Sequence, residues 1–245
     1  MDEKVTTHTG KWNPLDFSCR HYCTYCPELG KYSHEAALRP GWRMIPREYA
    51  IWVSEDTDLF HDAVPSELIS KVLKRAREVR KGYIFCTKNP ARFKEFVDEY
   101  PPWAYLSTTI ESDIDYKNSQ APPPLQRFEE AMGLKSMHKN SYFDQLEICV
   151  CIQPVMEFTP RFLDLLVELA PNQISIGPEK CGYDTPQPSL QAVTELAVAL
   201  KRRIPNVEVN VHGRGVELHD NPGDIIRPET WAGARTEYTE ELKSE

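Results

Sequence analysis

The chain has 245 residues, 37 acidic against 29 basic side chains for a formal net charge of −8, and an apolar fraction of 40%. This is enough to bury one large core or two small ones. The acidic balance argues against a non-specific grip on nucleic-acid phosphates, which needs clustered Lys and Arg, though it leaves room for a local basic groove.

The opening MDEKVTTHTGKWNP has no apolar stretch and does not read as a secretory signal. Trp12–Ser18 reads as a first strand and Tyr49–Val53 as a second, ended by the polar run Ser54-Glu55-Asp56-Thr57-Asp58. Ser66–Arg80 places Leu68, Ile69, Val72, Leu73 and Ala76 at helical spacing, and its Lys and Arg residues read as a solvated face. Gly82–Cys86 is the third strand, Pro90–Tyr100 a helix with Pro90 suited to its first turn, and Trp103–Ile110 the fourth strand. Leu125–Met137 is helical after the turn-forming Ala121-Pro122-Pro123-Pro124. Gln145–Val155 is apolar on both faces, as a strand covered on both sides should be. Thr159–Ala170 is a helix, Gln173–Gly177 the sixth strand, Ser189–Arg203 the next helix, and Val207–Val211 a candidate seventh strand. The longest apolar-leaning run, Leu146–Met156, is interrupted by Gln153 and Pro154 and falls far short of the roughly 20 residues of a membrane-spanning helix. A soluble, cytoplasmic protein is expected, with residues 1–220 forming the folded domain and 221–245 a polar tail.

Repeated strand–helix alternation predicts an α/β fold with a parallel sheet, closed or open, and helices outside it. Catalytic chemistry then belongs in the loops after the strands' C-terminal ends. Polar residues collect there: Ser54–Asp58, Thr87-Lys88-Asn89, Thr108–Glu111 and Gly177–Cys181.

Seven cysteines is an odd number, and Cys19, Cys23 and Cys26 fall on one short loop. In a reducing compartment such spacing reads as metal binding or catalysis rather than disulfides. Three thiolates can hold three irons of a cubane and leave the fourth open to a small molecule. A structural zinc site wants four ligands; Cys86 is far along the chain, so His21 or His34 would have to complete it, and the alternative reading is then a non-catalytic, zinc-stabilised α/β binding protein.

Cys19-x3-Cys23-x2-Cys26, with Tyr25 just before the last cysteine, resembles the signature of the radical-SAM superfamily. The resemblance extends over roughly residues 12–215. Lys11-Trp12-Asn13-Pro14, Asp58-Leu59-Phe60-His61 and Thr87-Lys88-Asn89-Pro90 resemble a phage-associated branch of that superfamily, and there is a more distant similarity to spore photoproduct lyase. The resemblance implies a partial (β/α)6 barrel and a 4Fe-4S cluster on Cys19, Cys23 and Cys26. It further implies that the open iron takes the amino and carboxylate groups of S-adenosylmethionine, and that one electron from a reductant such as flavodoxin or ferredoxin releases a 5′-deoxyadenosyl radical. That radical would abstract hydrogen from a substrate, either a nucleoside or nucleic-acid base, or a small metabolite.

The cofactor asks for several partners. Where the superfamily has a Gly-Gly-Glu-like segment, this chain has Ser54-Glu55-Asp56, and Glu55 can accept from an ammonium. Lys88 is the candidate for the carboxylate. Ser107, Thr109 and Glu111 alternate on one face of the fourth strand, so one of them can meet the ribose. Tyr25 is expected beside the adenine, and Gln153 near cofactor or substrate. Cys149 and Cys151 read as small buried hydrophobes. A second cluster from Cys86, Cys149, Cys151 and Cys181 is disfavoured by their scattering. Cys181, just past the sixth strand, is the candidate hydrogen-atom donor to a substrate radical.

Overall fold

Parallel neighbours need a crossover long enough to carry the chain back over the sheet, and the amphipathic segments of this sequence supply it. The computed structural model describes residues 9–138 and 146–212. Its strands are β1 (Gly10–Trp12), β2 (Leu15–Asp16), β3 (Ala37–Leu38), β4 (Ala50–Val53), β5 (Gly82–Thr87), β6 (Ala104–Thr109), β7 (Glu147–Ile152), β8 (Gln173–Ile176) and β9 (Glu208–Val211). The helices are α1 (Ser66–Glu78), α2 (Pro124–His138), α3 (Pro160–Leu169) and α4 (Leu190–Arg203). Among the described residues, seven strands in the order β1-β4-β5-β6-β7-β8-β9 make one parallel sheet, curled into a half-barrel with helices around it. The expected partial α/β barrel is what forms, with β9 as its seventh strand.

The pleat keeps one set of side chains outside and another inside. Val53, Phe85 and Leu106 lie in register across β4, β5 and β6, and pack outward with Ile69, Val72 and Leu73 of α1. Over β7–β9, Val150, Ile174 and Val209 pack with Phe162 and Leu166 of α3 and Val193 and Leu200 of α4. Each such fully buried side chain contributes about 1.5–3 kcal/mol. The opposite, concave face carries Trp52, Cys86, Thr109, Cys151 and Gln153, a polar and sulfur-bearing set unsuited to a dry core. Helix starts are fixed locally: Thr159 accepts from the Arg161 N–H and Ser189 from the Ala192 N–H, capping α3 and α4.

Two elements differ from expectation. The first strand of the sheet is Gly10–Trp12, not Trp12–Ser18. Pro14 cannot donate to a ladder, and past it β2 leaves the sheet to pair antiparallel with β3. The segment after β5 is a 3₁₀ helix, Pro90–Phe96, rather than an α-helix reaching Tyr100. Arg92 ties it to the carbonyl of His61 and the hydroxyl of Ser66, and Asn89 just before it ties to Asp62. The proposed tail 221–245 lies outside the described residues. No helix among the described residues is long and apolar enough to cross a membrane.

Candidate functional site

After β2 the chain turns over the C-terminal ends of the strands and lays the cysteine loop across them. Tyr22 takes a left-handed conformation (φ 48°) between His21 and Cys23, and the Cys26 N–H closes a turn on the Cys23 carbonyl at 3.1 Å. The loop is clamped from the far side. Thr24 N–H donates to the Asn118 carbonyl at 2.9 Å, Gln120 N–H to the His21 carbonyl at 2.6 Å, and the Cys23 thiol to Ser119 Oγ at 3.4 Å.

A second clamp comes from below. His21, inside the cysteine motif, meets Asp58 Oδ2 through Nε2 at 3.0 Å and packs on the His61 ring. Asp58 also accepts from Thr87 Oγ1 and from the backbone N–H groups of Phe60 and Lys88. Burial alone would raise this carboxyl; hydrogen bonding and charge from His21 outweigh it and hold it below its ordinary value. His21 is therefore engaged as an anchor of the loop, and His34 is exposed on the surface.

Loop and strand ends enclose a cavity of about 680 Å³. It brings together Cys19, Cys23, Tyr25 and Cys26 with Glu55, Lys88, Thr109, Gln153 and Cys181. Ser107 and Glu111 do not reach it. Ser107 sits one layer down beside Cys86, and Glu111 is buried behind the wall. There Glu111 accepts from Lys88 Nζ, from the Tyr25 hydroxyl and from Arg127 Nη1 at 2.8 Å. Burial opposes ionisation of Glu111, but Lys88 and Arg127 hold its carboxyl well below the usual range. Lys88 also lies over the Tyr25 ring, 5.3 Å from its centre. The group ties the cysteine loop to β5, β6 and α2.

Glu55 is paired with Lys11 at 2.8 Å on the outer edge of the cavity, its side chain 44% exposed. Its neighbours are more enclosed: Ser54 Oγ, Asp56 Oδ1 and Thr57 Oγ1 are buried without hydrogen-bond partners, and Ser54 holds a left-handed φ of 56°. Asp56 Oδ2 meets Arg39 at 2.7 Å. Cys86 lies 3.2 Å from Thr109 Oγ1 and is hydrogen-bonded to Cys151, so these two thiols serve the floor of the cavity. Gln153 donates to Ser175 Oγ at 3.3 Å, with its amide crossing over Gly177.

Burial pushes the Cys19 thiol up to about 12, helped by the charge of Asp58, while backbone N–H groups of His21 and Asp58 act the other way. Cys26 is raised by burial too, and the charge of Cys23 bears on both it and Cys19. The three sulfurs thus share one electrostatic environment. Among the described residues, no three His, Cys, Asp or Glu side chains converge where a single ion would sit. Three thiols on one loop, without a fourth cysteine there, are the donor set that a cubane with one open iron would call for.

Asp58 and Glu179 in the cavity wall, and Arg127 behind it, were not singled out as site residues in the sequence. Asp58 was visible as part of a polar run and of the Asp58-Leu59-Phe60-His61 resemblance, and Arg127 only as a residue of the helix Leu125–Met137. Glu179 was simply a neighbour of Cys181.

No protein-family model and no curated protein matches the chain. Its fold resembles the crystal structure of Streptococcus suis SuiB bound to S-adenosylmethionine, with a TM-score of 0.59 and 13% identity, over 84% of this chain and 50% of that one. The chain thus spans about half the length of the structure it matches, and at this identity the likeness shows the fold.

Proposed function

We propose that the protein is a radical S-adenosylmethionine enzyme, with a 4Fe-4S cluster on Cys19, Cys23 and Cys26. One observation carries the reading: three thiols of one clamped loop face a cavity at the C-terminal rim of a parallel half-barrel. A fold shared with a protein solved with S-adenosylmethionine supports it. When bound, the cluster supplies the electron that splits the sulfonium to methionine and a 5′-deoxyadenosyl radical.

The chain's own residues bind and orient. The Ser54–Thr57 turn offers enclosed acceptors to the cofactor ammonium, with Glu55 at its outer edge. Lys88 has three donors and spends one on Glu111, leaving others for a carboxylate. Of Ser107, Thr109 and Glu111, Thr109 lines the cavity and would meet the ribose, with Tyr25 and Gln153 bordering the remaining space. Ser107 and Glu111 act from behind the wall. Cys181 lines the cavity, and burial raises its thiol, keeping it a neutral S–H able to return a hydrogen atom to the substrate. Reductant and substrate come from outside the chain, the substrate being a nucleoside, nucleic-acid base or small metabolite.

The test is oxygen-free reconstitution with iron and sulfide. The wild-type protein is expected to take up both in equal amounts and to show broad visible absorbance. Replacing Cys19, Cys23 and Cys26 together by Ala should remove all three signals. Retention of iron and sulfide at the wild-type ratio in the triple variant sinks the assignment.

A further inference from the structure

Charge is unevenly spread over the chain. Residues 39–49 and 66–81 carry nine cationic and three acidic side chains, net +6, in a protein whose total is −8. The fold joins these two segments into one surface. Residues 39–49 form a strap along the β1 edge: Trp42 and Ile45 pack against the core, the Trp12 indole N–H donates to the Trp42 carbonyl at 2.6 Å, and Gly10 lies close under Pro46 and Glu48. α1 runs alongside, with Arg75 Nε donating to the Arg43 carbonyl at 2.9 Å and Lys81 Nζ to the Arg47 carbonyl at 2.9 Å. With Trp42 and Ile45 turned inward, Arg43, Met44, Arg47 and Tyr49 face solvent, Met44 80% and Tyr49 72% exposed. On α1, Lys71, Lys74, Arg75 and Glu78 share one stripe at i, i+3, i+4 and i+7. Glu78 serves both Arg43 at 3.0 Å and Arg75 at 2.9 Å. Arg47, Lys71 and Lys74 are exposed, and among the described residues no carboxylate lies within ion-pair distance of them.

Cations gathered on one face of an acidic protein favour a polyanion, whose binding releases counterions. A protein partner would want a continuous apolar centre. Here Met44 and Tyr49 are the only large exposed apolar side chains of the two segments, an arrangement suited to stacking single bases beside a tracked phosphate backbone. A duplex hides those base faces. We infer that this face is a docking surface for a single-stranded nucleic acid, with phosphates on Arg47, Lys71, Lys74 and the Arg43–Arg75 pair and bases against Tyr49 and Met44. The strap leaves the cavity wall at Arg39, whose guanidinium meets Asp56 at 2.7 Å, so the surface runs on to the rim of the cavity. Resting on the functional reading above, it makes the substrate a base or nucleoside within such a strand, already free of the stacking that would keep it from an enclosed site.

The experiment is fluorescence anisotropy of labelled DNA and RNA oligonucleotides of mixed sequence, single-stranded and duplex, titrated with the cluster-loaded full chain over a salt series. At least one single strand should bind at low salt, more tightly than its duplex, with log affinity falling against log salt at a slope of about −2 to −3.5, as for about three to five phosphates. The Arg47→Gln, Lys71→Gln, Lys74→Gln triple variant should bind at least tenfold more weakly and with a shallower slope. Tyr49→Ala with Met44→Ala should weaken binding and leave the slope unchanged. The exposed pair Lys201→Gln, Arg202→Gln, on α4, should behave as wild type. No binding by the wild type, undiminished binding by the triple variant, or tighter binding of duplex overturns the inference. So does displacement of the strand by polyglutamate at equal charge, which would assign the face to an acidic protein. Formation of 5′-deoxyadenosine is read separately: its absence with strand binding intact breaks the functional reading, and its presence without strand binding breaks this one.

Discussion

The rim above β4–β6 and the rim above β8 treat buried carboxylates in opposite ways. Asp58 and Glu111 are each surrounded by the protein's own donors: His21, Thr87 and two backbone N–H groups for one, Lys88, Arg127 and Tyr25 for the other. Glu179, buried to the same degree, has one backbone N–H and an empty-handed second oxygen. Satisfied networks of this kind rigidify and specify a single arrangement, here the position of the cysteine loop. Glu179 leaves one oxygen outside any such network.

The largest expected difference between the two rims is in stability. Glu111→Gln leaves Lys88 and Arg127 buried without their common partner and should cost about 3–5 kcal/mol in denaturant unfolding. Glu179→Gln keeps the acceptor for the Cys181 N–H and should change stability by less than about 1 kcal/mol. Equal losses at the two sites would break the comparison.

Acid titration sharpens it. Glu111 and Asp58 ionise more readily in the folded protein than their ordinary values of 4.5 and 3.8. Their contribution is therefore fully present above those values and lost as pH falls below them towards the folded-state values. Each tenfold difference in acidity between the folded and unfolded chain is worth about 1.4 kcal/mol. Thermal unfolding measured from pH 6 downward should decline steeply in the wild type, and less steeply in Asp58→Asn, which has lost one of the two groups. A parallel decline in both would remove Asp58 from the acid-sensitive set.

How far the sequence reached differs in the same way between local and distant features. Strand order and helix faces were legible because Ile69, Val72, Leu73 and Ala76, or the apolar run of β7, carry their period within one segment. Cys19, Cys23 and Cys26 were legible because their spacing is itself the signal. β1 was misplaced because three residues ahead of a proline carry no period, and the 3₁₀ segment because Arg92 is held by residues some 30 positions earlier. The pairing of Asp58 with His21, and of Glu111 with Arg127, depends on which strand ends come together, so no spacing announces it. Glu179 stood beside Cys181 in plain view, but its unpartnered second oxygen emerges only once its surroundings are placed.

A smaller effect concerns how the β8 rim is spaced. A Cβ on Gly177 would come within 2.7 Å of Gln153 Nε2 and 2.9 Å of its Cδ. Gly177→Ala should therefore displace the Gln153 amide and destabilise the protein by about 1–3 kcal/mol, at the low end because a side chain rather than backbone must move. It should also weaken S-adenosylmethionine binding, read by calorimetry. Unchanged affinity would take Gln153 out of the cofactor's surroundings.

Reductive cleavage of S-adenosylmethionine in this cavity, supported by the Cys19–Cys26 loop, is tested most directly by its products. The measurement is 5′-deoxyadenosine and methionine formed by oxygen-free, reconstituted, strongly reduced protein. Both products are expected in equal amounts from the wild type, even if slowly without substrate, and neither from the variant with Ala at Cys19, Cys23 and Cys26. No 5′-deoxyadenosine from a wild-type protein whose iron and sulfide are intact, or the same yield from the triple variant, would contradict the proposed chemistry.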